Sequence, residues 1–106
     1  MARYLFKVSY SPIGLQGVMK EGAESRAAFI AKMTADVGGS LESFDFAFGQ
    51  TDVYAICELP DDETAAAIAM TVTSSGTGGV QTVKLLTPAQ VDAARSIDIG
   101  FRPPGG

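Results

Sequence analysis

Histidine is missing from the 106 residues of this chain, and cysteine occurs once, at Cys57. Without histidine there is no catalytic triad of the Ser-His or Cys-His kind, and the commonest metal ligand is absent too. One cysteine excludes a disulfide within the chain, and a zinc site built from one thiolate and several carboxylates would be unusual. The sequence therefore gives no reason to expect a cofactor or a metal ion.

Long apolar runs and runs of like charge are also missing. No window approaches the length of a membrane span, and the opening MARYLFKVSY lacks the basic-then-apolar order of a signal peptide. The net charge of -4 comes without a basic run that would attract nucleic acid or an anionic membrane. We expect a cytoplasmic protein that binds neither nucleic acid nor membrane.

The composition is that of one globular domain, with 46% hydrophobic and 19% charged residues. A chain of 106 residues is long enough to bury a core and too short for two domains. We expect residues 1–95 to form the domain and residues 96–106, which end in PPGG, to form an extended C-terminal tail.

Residues 41–60 predict a β-hairpin, because two strand-like runs flank a short turn. In the first run, small or polar residues alternate with three phenylalanines, Phe44, Phe46 and Phe48. The second run, VYAICEL, is rich in β-branched and aromatic residues and stops at Pro60. The turn between them contains glycine and aspartate, which tight turns favour.

The remaining segments complete a ferredoxin-like order. Alternation predicts strands at residues 3–10 and 80–87. Capping residues and apolar spacing predict helices at 11–37, with a break near Gly22, and at 61–75. A capping box predicts a short C-terminal helix that ends near residue 95. The fold class is therefore α+β: a split βαβ (βαββαβ) arrangement with a four-stranded antiparallel sheet and the helices on one face.

Alternation also divides the predicted sheet into two faces. We expect the more apolar set to meet the helices: Tyr4, Phe6, Val8, Phe44, Phe46, Phe48, Val53, Ala55, Cys57, Leu59, Val83 and Leu85. The opposite set mixes charge with apolar groups: Leu5, Lys7, Ser9, Ser43, Asp45, Tyr54, Ile56, Glu58, Thr82, Lys84 and Leu86. That mixture suggests partial burial of the second face against another copy of the chain.

Five residues of the mixed face are candidate ligand contacts: Lys7, Asp45, Tyr54, Glu58 and Lys84. Two ammonium groups, a phenol and carboxylates suit a small acid or a polar aromatic ligand. The alternative is a set of ion pairs and hydrogen bonds that fix strand and subunit register.

Three other features favour a structural role over a chemical one. Gly49 and Asp52 have the propensities of a hairpin turn, although Asp52 could instead border a pocket or act as a base. Cys57 has apolar neighbours and no histidine to activate it, which predicts a buried small hydrophobic residue. The glycine cluster at 76–79 precedes a predicted strand and lacks the Lys-Ser/Thr of a phosphate loop, so it predicts a tight connection.

From Arg3 to Arg95 the chain resembles the GYD domain family. The similarity lies in RYLFKVSY, in GGSLESFDFAFGQTDVYAICELPDDETAAA and in LLTPAQVDAA. Gly49 and Asp52 match the turn after which the family is named, whereas Thr51 stands where the family has tyrosine. The resemblance implies a dimeric α+β barrel, in which two ferredoxin-like sheets pack face to face, and it carries no assigned activity.

Two functions from different classes fit this sequence. The first is a homodimer or higher homo-oligomer whose enclosed face binds a small polar or acidic metabolite, or only mediates assembly. The second, by analogy with other dimeric barrels, is a cofactor-independent monooxygenase or isomerase in which Asp45, Tyr54 or Glu58 handles a proton. A closed cavity and a carboxylate of raised pKa inside it would distinguish the enzyme from the binding module.

Overall fold

A computed structural model describes residues 1–47 and 49–106 of the chain. Its elements are β1 (Ala2–Tyr10), α1 (Pro12–Glu21), α2 (Ala23–Asp36), β2 (Ser40–Phe46), β3 (Val53–Leu59), α3 (Asp62–Ser74), β4 (Gly78–Leu85) and α4 (Pro88–Arg95). This is the predicted α+β order. The position predicted for Phe48 lies outside the described residues.

Local sequence explains where the helices begin and end. The Ser11 side chain accepts the backbone N–H of Gly14 at 3.1 Å and so caps α1. Gly22 separates α1 from α2 with a φ of 100°, a conformation that glycine adopts readily. At α4, Thr87 and Gln90 form the predicted capping box, in which each side chain accepts a hydrogen bond from the other residue's backbone N–H.

The four strands form one antiparallel sheet in the order β2-β3-β1-β4. The predicted hairpin is therefore present as β2 and β3, and β1 lies at the centre of the sheet beside β3 and β4. The pairing of β2 with β3 has one register shift, between Leu41 and Ser43, which leaves Glu42 of β2 as the extra residue of a bulge.

The core lies between the sheet and the helices. Its most buried sheet residues all occupy positions that were predicted to face the helices: Tyr4, Phe6, Val53, Ala55, Cys57 and Leu59. The face prediction is thus confirmed for β1 and β3. Phe44 packs against this core as a partly buried residue, while Phe46 at the end of β2 is 43% exposed.

The face prediction is wrong for β4. Tyr4 pairs with Lys84 and Phe6 pairs with Thr82, and directly paired residues share a face of the sheet. Thr82 and Lys84 therefore lie on the helix side, and the alternate residues Val83 and Leu85 lie on the other side. Leu86, also assigned to the second face, follows the end of β4.

The edge position of β4 is the physical reason for that error. Both Thr82 and Lys84 stay exposed on the helix side, so burial does not force the apolar residues of this strand inward. At its start β4 packs closely on β1, because a Cβ on Gly78 would lie 2.6 Å from the carbonyl oxygen of Ser9.

Candidate functional site

The side of the sheet away from the helices, here called the open face, carries three rows of cross-strand neighbours. The central row is Ser43, Ile56, Leu5 and Val83. The Lys7 row is Asp45, Tyr54, Lys7 and Gln81. The Arg3 row is Glu58, Arg3 and Leu85, joined by Glu42 from the bulge. A mainly apolar row thus lies between two charged rows.

The apolar groups of the open face remain accessible in the single chain. Val83 is 43% exposed and Tyr54 is 39% exposed, while Leu5 and Ile56 are partly buried. Exposed apolar side chains that are contiguous and flanked by charge are typical of a surface that meets a partner.

Four of the five predicted site residues share this face. Asp45, Tyr54 and Lys7 are successive neighbours across β2, β3 and β1. Glu58 lies further along β3, in the Arg3 row. The arrangement places an ammonium group beside a phenol, and a carboxylate on the far side of that phenol.

Lys84 does not belong to this group, and the predicted pocket with two ammonium groups is wrong. Its Nζ lies on the helix side, 2.9 Å from an Asp62 carboxylate oxygen. Tyr4 donates its hydroxyl proton to the same oxygen at 2.5 Å. That hydrogen bond, together with burial, raises the pKa of Tyr4 to about 12. The same hydrogen bond and the one from Lys84 lower the pKa of Asp62. The cluster connects the start of α3 to β1 and β4.

An ion pair in the Arg3 row was not predicted. The Arg3 guanidinium donates from Nε to both Glu42 carboxylate oxygens at 3.0 Å and from Nη2 at 2.8 Å. These hydrogen bonds raise the pKa of Arg3 and lower the pKa of Glu42. Simple alternation would place Glu42 with Phe44 on the helix side, and the bulge redirects it. The sign available in the sequence was that Arg3 and Lys7 share one face of β1 by alternation, which places Arg3 on the open face.

Asp52 and Gly49 have the structural roles that turn propensity predicts. The Asp52 carboxylate accepts the backbone N–H of Tyr10 at 2.8 Å, and the Asp52 backbone N–H donates to the Val8 carbonyl at 2.8 Å. Gly49 has a φ of 144°. Asp52 therefore anchors the hairpin turn to the end of β1.

Cys57 is buried, as predicted. It is 3% exposed, and burial raises the pKa of its thiol. Within residues 1–47 and 49–106, no three His, Cys, Asp or Glu side chains are grouped closely enough to hold a metal ion. Over the same residues, no helix has the length and apolar character needed to cross a bilayer.

The fold and the open face together define a ferredoxin-like α+β domain with one uncovered sheet face. The chain belongs to the GYD domain family, whose model matches residues 4–94. No curated protein and no solved structure matches the chain. The family match confirms the resemblance found in the sequence.

Proposed function

We propose that the protein is a homodimer in which two open faces pack together and enclose a site for a small polar or acidic molecule. The observation that carries this proposal is the accessible, mainly apolar central row, with Leu5, Ile56 and Val83 between two charged rows. The solvated face of an antiparallel sheet is normally polar. An apolar row with charged borders has the character of an interface core and its rim.

Charge favours one way of pairing two copies. A two-fold axis parallel to the strands lays β3 over β1 of the second copy, so that Glu58 faces Arg3 and Tyr54 faces Lys7. An axis across the strands lays β1 over β1 and sets Lys7 against Arg3. Opposite charges and cation–π contacts stabilise an interface, whereas like charges destabilise it. We therefore infer the axis parallel to the strands.

The flat outline of the sheet is smaller than the accessible surface that a stable interface buries. Four strands about 4.8 Å apart, each about seven residues long, cover roughly 440 Å² per copy. Stable interfaces bury about 800 Å² per partner. The segment after β4 can supply the rest, because Arg3, Leu85 and Gln90 line one cleft at the edge of the open face. Beyond α4, the apolar side chains of Ile97 and Phe101 are exposed.

Lys7 is the cation that we assign to the ligand. Arg3 is engaged by Glu42, whereas no carboxylate of the described residues lies within 4.0 Å of the Lys7 ammonium group. In the favoured pairing, the Lys7 rows of both copies meet at one end of the interface. Tyr54 and Asp45 flank that end, and Glu58 lies in the opposite row.

The enzymatic alternative has less support from the geometry. A catalytic carboxylate that takes a proton near neutral pH needs a raised pKa, which burial usually provides. In the single chain Asp45 is exposed and Glu58 is only partly buried, so no buried acid is in place before a second copy binds. Binding is therefore the function that the open face supports best.

Benzoate titration followed by amide NMR shifts tests the ligand assignment. We expect saturable shifts at Lys7 and Tyr54, and we expect Lys7→Met to abolish them because the cation is lost. Lys84→Met is the matched control, since it removes an ammonium group on the opposite side of the sheet. Equal binding by wild type and Lys7→Met would exclude an acidic ligand on the open face.

A cysteine introduced at Ser9, the next open-face residue of β1 after Lys7, tests the pairing. With sheets about 10 Å apart, the two copies of residue 9 lie roughly 10 to 15 Å apart for the parallel axis and about 28 Å apart for the other axis. A bismaleimide that spans roughly 10 to 15 Å should cross-link Ser9→Cys chains. The control Glu24→Cys, on helix α2, should dimerise without becoming cross-linked. The buried native Cys57 should react slowly in both. Failure of Ser9→Cys to cross-link argues against this axis.

A further inference from the structure

A cavity of about 50 Å³ lies on the other side of the sheet, beneath α2 and α3. Its floor includes Phe6, Ala55 and Cys57, each no more than 5% exposed. Among its described lining residues there is no member of the open face. The cavity is thus separate from the proposed dimer interface.

The walls of this cavity offer carbon and almost no polar surface. Thr34 is the polar residue in the lining, and its hydroxyl donates to the Ile30 carbonyl at 2.7 Å. A water needs about 10 to 15 Å³ of such space and two to four polar partners. The space is sufficient for several waters, but the walls leave them without partners.

A groove of about 490 Å³ between α2 and α3 leads towards the cavity. Met33, Ile68 and Val72 line both spaces and are only partly buried. Methionine is unbranched and flexible, so the Met33 side chain can adapt to a ligand that contacts both spaces. The groove also carries the carboxylates of Asp61 and Glu63, which repel anions.

We propose that the cavity and groove bind a small neutral apolar molecule, of the size of a single aromatic ring or a short branched hydrocarbon. An apolar protein cavity of about 150 Å³ is known to stay dry and to accept benzene. The cavity found here has about a third of that volume, so it takes a small alkyl group of the ligand, such as a methyl group, while the ring lies in the groove. The proposal does not depend on dimerisation.

Toluene is the probe, and side-chain methyl NMR is the measurement. We expect saturable shifts at Met33, Ile68 and Val72, with the methyl groups of Leu5 and Ile56 on the open face unchanged. Benzoate should leave the cavity methyl groups unchanged, because the cavity offers no partner for a carboxylate. This contrast separates the apolar site from the site proposed at Lys7.

Filling the cavity should remove toluene binding. Ala55→Ile adds three carbons to the floor, so we expect the saturable shifts to disappear without loss of the fold. Thr82→Ile is the matched control, with the same new side chain on the same side of the sheet but outside the cavity lining. Val72→Phe, which narrows the entrance, provides a second variant if Ala55→Ile does not fold.

Two results would overturn the proposal. Toluene shifts that persist in a folded Ala55→Ile or Val72→Phe variant place the ligand elsewhere. The absence of saturable shifts in wild type, up to the solubility limit of toluene, also rejects the site.

Discussion

Replacing Gly14 by alanine should destabilise the protein, because α1 passes directly over the turn before β4. A Cβ at this position would lie 1.8 Å from the Thr77 carbonyl oxygen and 2.8 Å from its carbonyl carbon. The helix would have to move away from that turn. Two hydrogen bonds hold the contact: the Ser11 N–H donates to Thr77 at 3.0 Å, and the Ser11 hydroxyl donates to the Gly76 carbonyl at 2.7 Å.

The expected cost follows from these contacts. Breaking both hydrogen bonds costs about 1 kcal/mol each. Overpacking adds about 1 to 3 kcal/mol, and the better helix propensity of alanine returns about 1 kcal/mol. The free energy of unfolding should therefore fall by about 2 to 4 kcal/mol. Gly17→Ala is the control in the same helix, where a Cβ meets nothing within 4 Å, and it should stabilise by up to about 1 kcal/mol.

Urea unfolding followed by circular dichroism measures both changes. Protein concentration must be equal for all variants, because self-association raises the apparent stability. We expect the two urea midpoints to move in opposite directions with an unchanged m-value. A Gly14→Ala variant as stable as wild type would refute the close contact between α1 and the turn.

Four further outcomes are expected. Because its pKa is lowered in the fold, ionised Asp62 stabilises the protein at pH values above the unfolded carboxyl pKa of about 3.9. This stabilisation is lost as the pH falls through the folded pKa. Urea midpoints should therefore decline more steeply on acidification in wild type than in Asp62→Asn. Tyrosinate absorbance should show one group ionising at about 12, and Tyr4→Phe should remove that step. Cys57 should react slowly with a thiol reagent in the native state and fully in urea, since it is buried; fast native reaction would disagree. A chain ending at Arg95 should dimerise more weakly than the full chain if the exposed tail adds to the interface.

Strong periodicity made the central elements predictable. Tyr4 and Phe6 alternate with polar or less buried residues, and the second hairpin strand does the same around Cys57. In both strands the most buried residues all lie on one face, so only one phase of the alternation is compatible with the core. The starts of α1 and α4 could also be predicted from the sequence, since Ser11 and Thr87 are side-chain caps next to proline.

The candidate site was only partly predictable, because edge strands are less constrained. In β4 both phases leave apolar and polar residues exposed, so the pattern could not reveal that Lys84 faces Asp62. The bulge in β2 shifted the phase by one residue, and local sequence does not mark it; this redirected Glu42 to Arg3. Because Lys84 lies on the helix side, Val83 occupies the open face in its place, which makes that face more apolar and better suited to a partner.

Sedimentation equilibrium of wild type and Ile56→Lys tests the central claim most directly. Ile56 lies in the central row, so a lysine there should produce a folded monomer of 11.0 kDa, while wild type should sediment at twice that mass. Thr82→Lys, on the helix side of the same sheet, should stay dimeric. A wild-type chain that sediments as a monomer, or a dimer that Ile56→Lys leaves intact, would contradict assembly through the open face.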